Sequence, residues 1–147
     1  MTNRPIALAA DHAGFALKTA LIRHLEDRGQ TVIDLGTDSE ASVDYPDYGR
    51  ALAQCLADGR AQWGVAVCGS GIGISISANR HPAVRAALVT DADAAEMARR
   101  HNDANVIAFG ARRIDAATAT TCLDVFLATP FEGGRHARRV EKLADPV

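Results

Sequence analysis

The chain has 147 residues and a formal net charge of -2, with 48% hydrophobic and 23% charged residues. That is the composition of an ordinary soluble globular domain, long enough to bury a core and without an electrostatic footprint for nucleic acid or an anionic membrane surface. The three cysteines, Cys55, Cys68 and Cys122, form no C-x-x-C pair and no zinc-ligand spacing, and no stretch reads as a leader or a membrane span.

Taken in order, short apolar runs alternate with amphipathic stretches from end to end. "PIALAAD" (5–11) predicts a buried strand, and 14–29 a helix in which Phe15, Leu17, Leu21, Ile22 and Leu25 recur at helical spacing, with Gly29 as its stop. A second strand is expected at 31–36, then a helix over 46–60 opened by Pro46 in its first turn. Three more strands follow at 63–69, 84–89 and 105–110, with helices over 71–80, 91–101 and 115–128. Asp91 and Asp115 stand where N-caps belong, and a last helix covers about 133–144.

Strand followed by helix, five times over, implies parallel strands joined by right-handed crossovers. The expected fold is therefore a three-layer α/β/α sandwich around a five-stranded parallel, doubly wound, Rossmann-like sheet, in one domain over 1–147. In that architecture ligands bind beyond the carboxyl ends of the strands. Unusual polar groups stand at those ends: "DHAG" after the first strand, "CGSGIG" after the third and "GARR" after the fifth. "RRHNDAN" precedes the fifth strand, and its rim stays open at this point.

Gly69, Gly71 and Gly73 free the backbone to present N–H groups at a helix N-terminus, which makes an anion nest; the alternative is a tight turn with no ligand. A dinucleotide-binding G-x-G-x-x-G would need glycine where Ile74 stands, and no Gly-Lys-Ser/Thr completes a P-loop. Cys68 is either a buried strand cysteine or a thiol set where a helix N-terminus favours the thiolate. His101 and Asn102 end a helix, where an imidazole can serve merely to offset the dipole, and Asp11 with His12 can be a structural pair. Arg135 and Arg139 stand four apart, hence on one helical face, and suit a phosphate dianion; with Arg138 they can also be a solvated basic face.

Together, "DHAGFALK", "TDSEASVDYPDYG", "CGSGIGISISANR", "HNDANVIAFGAR" and "EGGRHARRVE" resemble the ribose-5-phosphate isomerase type B family, which includes the galactose-6-phosphate isomerase subunits. The resemblance spans nearly the whole chain in order. It implies a metal-free, cofactor-free aldose–ketose isomerase of the pentose phosphate pathway that interconverts D-ribose 5-phosphate and D-ribulose 5-phosphate. It further implies a homodimer or homotetramer with active sites at subunit contacts and a small phosphorylated sugar as partner, while the cysteine usage itself points to a reduced, cytoplasmic protein. By position Cys68 matches the family's catalytic base and His101 its proton donor in ring opening, which Ser70 would assist. Asp11 and His12 match its substrate-binding pair, and Gly69, Ser70, Gly71, Ile72 and Gly73 the loop that holds the enediolate oxygens. Asn102, Arg112, Arg135 and Arg139 match the remaining substrate contacts, the last two on phosphate. One branch of the family carries glutamate at the position of Ile74 and lacks the cysteine, so this chain resembles the cysteine branch; Ser70 stands where threonine is common. An isomerase of allose or galactose 6-phosphate, a non-catalytic phosphosugar or nucleotide binder, and a dinucleotide oxidoreductase are the alternatives.

Overall fold

A computed structural model describes residues 4–145. The strands are β1 (Ile6–Ala10), β2 (Val32–Asp34), β3 (Trp63–Cys68), β4 (Ala86–Leu88) and β5 (Val106–Gly110). The helices are α1 (Phe15–Asp27), α2 (Tyr45–Ala57), α3 (Ile72–Asn79), α4 (Ala92–Asn102), α5 (Ala116–Ala128) and α6 (Arg135–Lys142), and a 3₁₀ turn (His12–Gly14) leads into α1. All strand pairs are parallel, in the order β2-β1-β3-β5-β4, so the expected doubly wound sheet is present.

Local chemistry sets the ends of these elements as the residue types require. Asp91 and Asp115 accept hydrogen bonds from the N–H groups of Ala94 and Thr118, each at 2.8 Å, and Pro46 lies in the first turn of α2. Gly29, with φ of +76°, follows the end of α1. The two outer strands are shorter than the apolar runs 31–36 and 84–89 imply. Each has a neighbour on one side only and pairs with just the first three residues of that strand, Ile6–Leu8 of β1 or Val106–Ala108 of β5. On the outer side of β4, the Asn79 side chain donates to the Ala86 carbonyl (3.0 Å) and accepts from its N–H (2.7 Å).

Alternation along the three central strands sorts large side chains from small ones. Ile6, Leu8, Val65, Val67, Ile107 and Phe109 enter one core with α1, α4 and α5. Ala7, Ala9, Ala66, Cys68 and Ala108 enter the other, beneath α2 and α3. Each fully buried Leu, Ile or Phe contributes about 1.5–3 kcal/mol of transfer free energy. Cys55 and Cys122 are buried in these cores as small hydrophobes, and burial pushes both thiols up from their ordinary pKa.

α3 departs from the amphipathic rule. Ile74 and Ala78 are buried, yet Ile72 and Ile76 are 52% and 61% exposed, so the helix carries isoleucine on its outward face as well as its inward one. No helix among the described residues is long and apolar enough to cross a membrane.

Candidate active site

At the carboxyl rim of the sheet, β3 ends on Cys68 and the chain turns sharply into α3. The turn depends on Gly71, whose φ of +78° is left-handed and where a Cβ would lie 2.8 Å from the Phe109 backbone carbon. This bend aims the Gly71 N–H at Cys68 Sγ, with nitrogen and sulfur 3.2 Å apart. Cys68 itself is buried. Ser70 Oγ accepts from the Ile72 N–H at 3.2 Å, which leaves its own hydroxyl proton to donate elsewhere. The first turn of α3 ends in N–H groups, including those of Gly73 and Ile74, that the helix itself cannot satisfy.

Other strand ends close around this turn. The Arg112 guanidinium lies directly over Gly69, and the Arg112 N–H bonds the Gly69 carbonyl at 3.0 Å. After β1, Asp11 caps the 3₁₀ turn by accepting from the Gly14 N–H (3.1 Å), and its own N–H bonds the Val67 carbonyl (3.2 Å). His12 Nδ1 is taken up by the Val43 backbone, at 3.1 Å from its N–H, so Nε2 is the nitrogen left to meet a ligand. Tyr45, at the start of α2, packs its ring on Gly73, and a cleft of about 440 Å³ runs beside them between α2 and α3. Asp11, His12, Cys68, the 69–73 loop and Arg112 thus share one rim.

His101, Asn102, Arg135 and Arg139 do not join them. α4 leaves the carboxyl end of β4 and returns to the amino end of β5, so its last residues lie at the opposite rim. There Asn102 borders a cleft with Val84, Arg85 and Ala86, residues at the start of β4. The five residue-to-residue steps along β3 (Trp63–Cys68), at about 3.3 Å rise each, separate the two rims by roughly 17 Å.

The amino rim is tied by charged side chains. Buried Arg99 donates to Asp103 Oδ1 (2.8 Å), the Ala104 carbonyl (2.7 Å) and the Thr129 carbonyl (3.2 Å), and its guanidinium stacks on Trp63 at 4.4 Å. Arg85 holds the Asp103 carbonyl from the other side at 2.8 Å. Between them they fix Asp103 in a left-handed conformation (φ 46°) that ends α4 just beyond His101 and Asn102. α6 lies alongside, and the His101 and His136 rings stack with centroids 4.4 Å apart and planes 15° from parallel. Glu132 lies 3.8 Å from the Nε2 of each ring and receives Arg100 Nη2 at 3.1 Å. Among the described residues Arg112, Arg135 and Arg139 form no ion pair, so all three are available to an anion.

Arg99, Glu132 and His136 are not singled out by sequence reasoning. The i, i+4 spacing of Glu132 and His136 is the one signal the sequence offers for that pair. Arg99 stands four residues after Ala95 on the buried stripe of α4, a position whose periodicity points to a buried and therefore anchored guanidinium.

His101, Glu132 and His136 bring possible ligand atoms within 4.8 Å of one another. They do not fit a metal. Nearly parallel stacked rings cannot aim two in-plane lone pairs at a point about 2.1 Å from each nitrogen, and Arg100, Arg135 and Arg139 crowd the cluster with positive charge.

Residues 6–143 match the Ribose/Galactose Isomerase family. The chain is 42% identical over 140 residues to ribose-5-phosphate isomerase B of Escherichia coli (strain K12), covering 95% of this chain and 94% of that protein. It superposes on a ribose 5-phosphate isomerase from Thermotoga maritima with a TM-score of 0.95 and 45% identity, over 97% of this chain and 99% of that one. Ribose-5-phosphate isomerase B from Mycoplasma genitalium, solved with bound ribulose-5-phosphate, superposes with a TM-score of 0.92 at 35% identity, over 98% and 96% of the two chains. With a family match across nearly its whole length and relatives well above 30% identity over nearly all of theirs, the chain belongs to the Ribose/Galactose Isomerase family.

Proposed function

We propose that the chain is an aldose–ketose isomerase that interconverts ribose 5-phosphate and ribulose 5-phosphate at a site shared between two copies. The observation that carries the reading is Cys68, a thiol at the head of a glycine turn with a backbone N–H aimed at its sulfur, in a chain of this family. Its unpaired cysteines fit a reducing compartment, the cytoplasm.

The chemistry needs one base that reaches two adjacent carbons, and donors for the oxygen that becomes negative. His101 and Ser70 would move the protons that open the furanose. The Cys68 thiolate would then take the proton from C2, and the electron pair left behind forms the C1–C2 double bond of a cis-enediolate. The charge that develops on the C1 oxygen falls to the N–H groups of the 69–73 loop. Return of the proton to C1, with the C2 hydroxyl proton passing to the C1 oxygen, gives the ketose without net oxidation or reduction. Arg135 and Arg139 would hold the phosphate, with Arg112, Asp11, His12 and Asn102 orienting the sugar.

A single chain keeps Cys68 and His101 on rims roughly 17 Å apart, too far for one five-carbon sugar. Pairing one copy's carboxyl rim with another's amino rim removes that obstacle. The outward-facing Ile72 and Ile76 beside the glycine turn support such a contact, because an apolar helix face of this kind is normally covered.

The test is a direct assay of ketose formation over ribose, allose and galactose phosphates. Turnover of ribose 5-phosphate with solvent hydrogen entering C1 of the ribulose 5-phosphate formed is the expected result. Phosphate-ester binding without turnover would make the protein a sensor, and an absorbance change requiring nicotinamide would make it an oxidoreductase.

A further inference from the structure

The stacked pair at the amino rim has a feature that ring opening alone does not explain. His136 is buried, its Nε2 has no hydrogen-bond partner among the described residues, and its ring covers that of His101. Glu132 offers one carboxylate oxygen towards each Nε2, both at 3.8 Å. We propose that Glu132 and His136 are positioning residues that fix the plane of the His101 ring and favour the imidazolium form on His101 rather than on His136. This rests on the reading of His101 as the proton donor of ring opening.

Two imidazolium ions at this separation repel, so a positive charge on one ring disfavours a charge on the other. His136 is the poorer host. A charged His136 would need an acceptor for its Nε2–H, and none lies within hydrogen-bond reach. Burial pushes its pKa below the ordinary value; His101, Arg135 and Arg139 push the same way, against the opposing pull of Glu132. His101 is 35% exposed, so its charged form keeps part of its hydration while lying equally close to the carboxylate. Arg100 pairs with the same Glu132 oxygen and holds the carboxylate in position. The groups that face the pair are therefore Arg100 from α4, Glu132 from the loop before α6, and Arg135 and Arg139 from α6. The proposed pairing of rims would add Asp11, His12 and Cys68 of a second copy. The buried orphan nitrogen keeps His136 neutral and flat, and that flat face sets the angle at which His101 presents its proton.

The experiment is an imidazole-nitrogen NMR titration of the parent, Glu132→Gln and His136→Phe proteins, alongside the pH dependence of kcat/KM for each. In the parent, His101 should take its proton at a higher pH than His136. An imidazolium donor is lost as pH rises through its pKa, so it sets the alkaline limb of the profile. Glu132→Gln should lower the His101 midpoint and carry that limb down by about half a unit, the size of a partly exposed carboxylate–imidazolium interaction. His136→Phe keeps a ring against His101 and cannot bind a proton, so the limb should persist with a smaller displacement. An unmoved His101 midpoint in Glu132→Gln, a His136 that protonates first, or loss of the limb in His136→Phe would each overturn the proposal. Glu132 is exposed and glutamine keeps its shape, so that variant should fold. The NMR readout does not depend on turnover. If instead a His101→Ala variant kept parental activity while the titration order held, the functional reading would be what failed.

Discussion

The two rims of the same sheet are built by different means. At the carboxyl rim, the backbone carries the geometry: one contiguous stretch, 68–73, contains the thiol, the left-handed glycine and the N–H groups, and Arg112 closes over it. At the amino rim, long charged side chains carry it: Arg99 ties α4 to the chain end of α5, and Glu132 and His136 meet His101 from more than thirty residues away. A turn made by backbone stereochemistry tolerates almost no change at its glycine, whereas a rim made of ion pairs and stacking can be retuned one side chain at a time. The first suits an oxyanion, whose position must not drift during reaction; the second suits a proton and a phosphate, whose affinities need adjustment.

The sharpest way to break this division is Cys68→Ala. It should lower kcat by about 10²–10⁴-fold, the usual loss of a general base, with far-UV circular dichroism and melting temperature little changed. Near-parental turnover would strip the carboxyl rim of its chemical role. On the amino rim, Arg135→Ala and Arg139→Ala should each lower kcat/KM about ten- to a hundredfold, mainly by raising KM for ribose 5-phosphate, because each removes a charge-assisted hydrogen bond. Parental kinetics in both variants would move the phosphate site elsewhere.

Mixing inactive variants tests whether the rims cooperate between copies. Cys68→Ala and His101→Ala are each expected to be nearly inactive. After subunit exchange at equal amounts, half of the dimers are mixed, and each mixed dimer has one doubly damaged and one intact site. About a quarter of parental activity should return. Exchange verified by mass spectrometry without that recovery would rule out sharing for this pair.

The smallest effect belongs to the cysteines outside both rims. Replacing Cys55 or Cys122 with alanine should leave kcat within about twofold of the parent. Burial raises both thiols above their unfolded value of 9.0, so the unfolded chain loses these protons first. Stability should hold below that value and decline as pH rises past it, and melting curves of the double variant should show a shallower alkaline decline than the parent.

The difference between the rims also explains what the sequence could reveal. The strands, the capping aspartates and the glycine turn are local: short continuous apolar runs, aspartate before a helical pattern and glycine spacing declare them within a few residues. The position of β5 between β3 and β4 is not local, since "VRAALV" and "NVIAFG" are equally apolar, and only pairing decides which one becomes the edge. His101 is legible as a candidate, but its rim follows from the direction of α4, which the parallel topology imposes. The stack with His136 and the reach of Glu132 were beyond periodicity altogether, because residues 129–134 join α5 to α6 as an irregular loop.

The side chain of Asn79 has a consequence for how this molecule can associate at all. Exposed sheet borders recruit other chains by strand addition, the first step towards fibrous aggregates. By satisfying the outward N–H and carbonyl of Ala86, the Asn79 amide occupies the template that an incoming strand would read, and the three-residue length of β4 leaves little more to read. Copies of this chain that meet on that flank have side chains rather than backbone to recognise. The outward isoleucines of α3 likewise offer side chains and no unpaired strand backbone, so a contact made there adds no strand to the sheet.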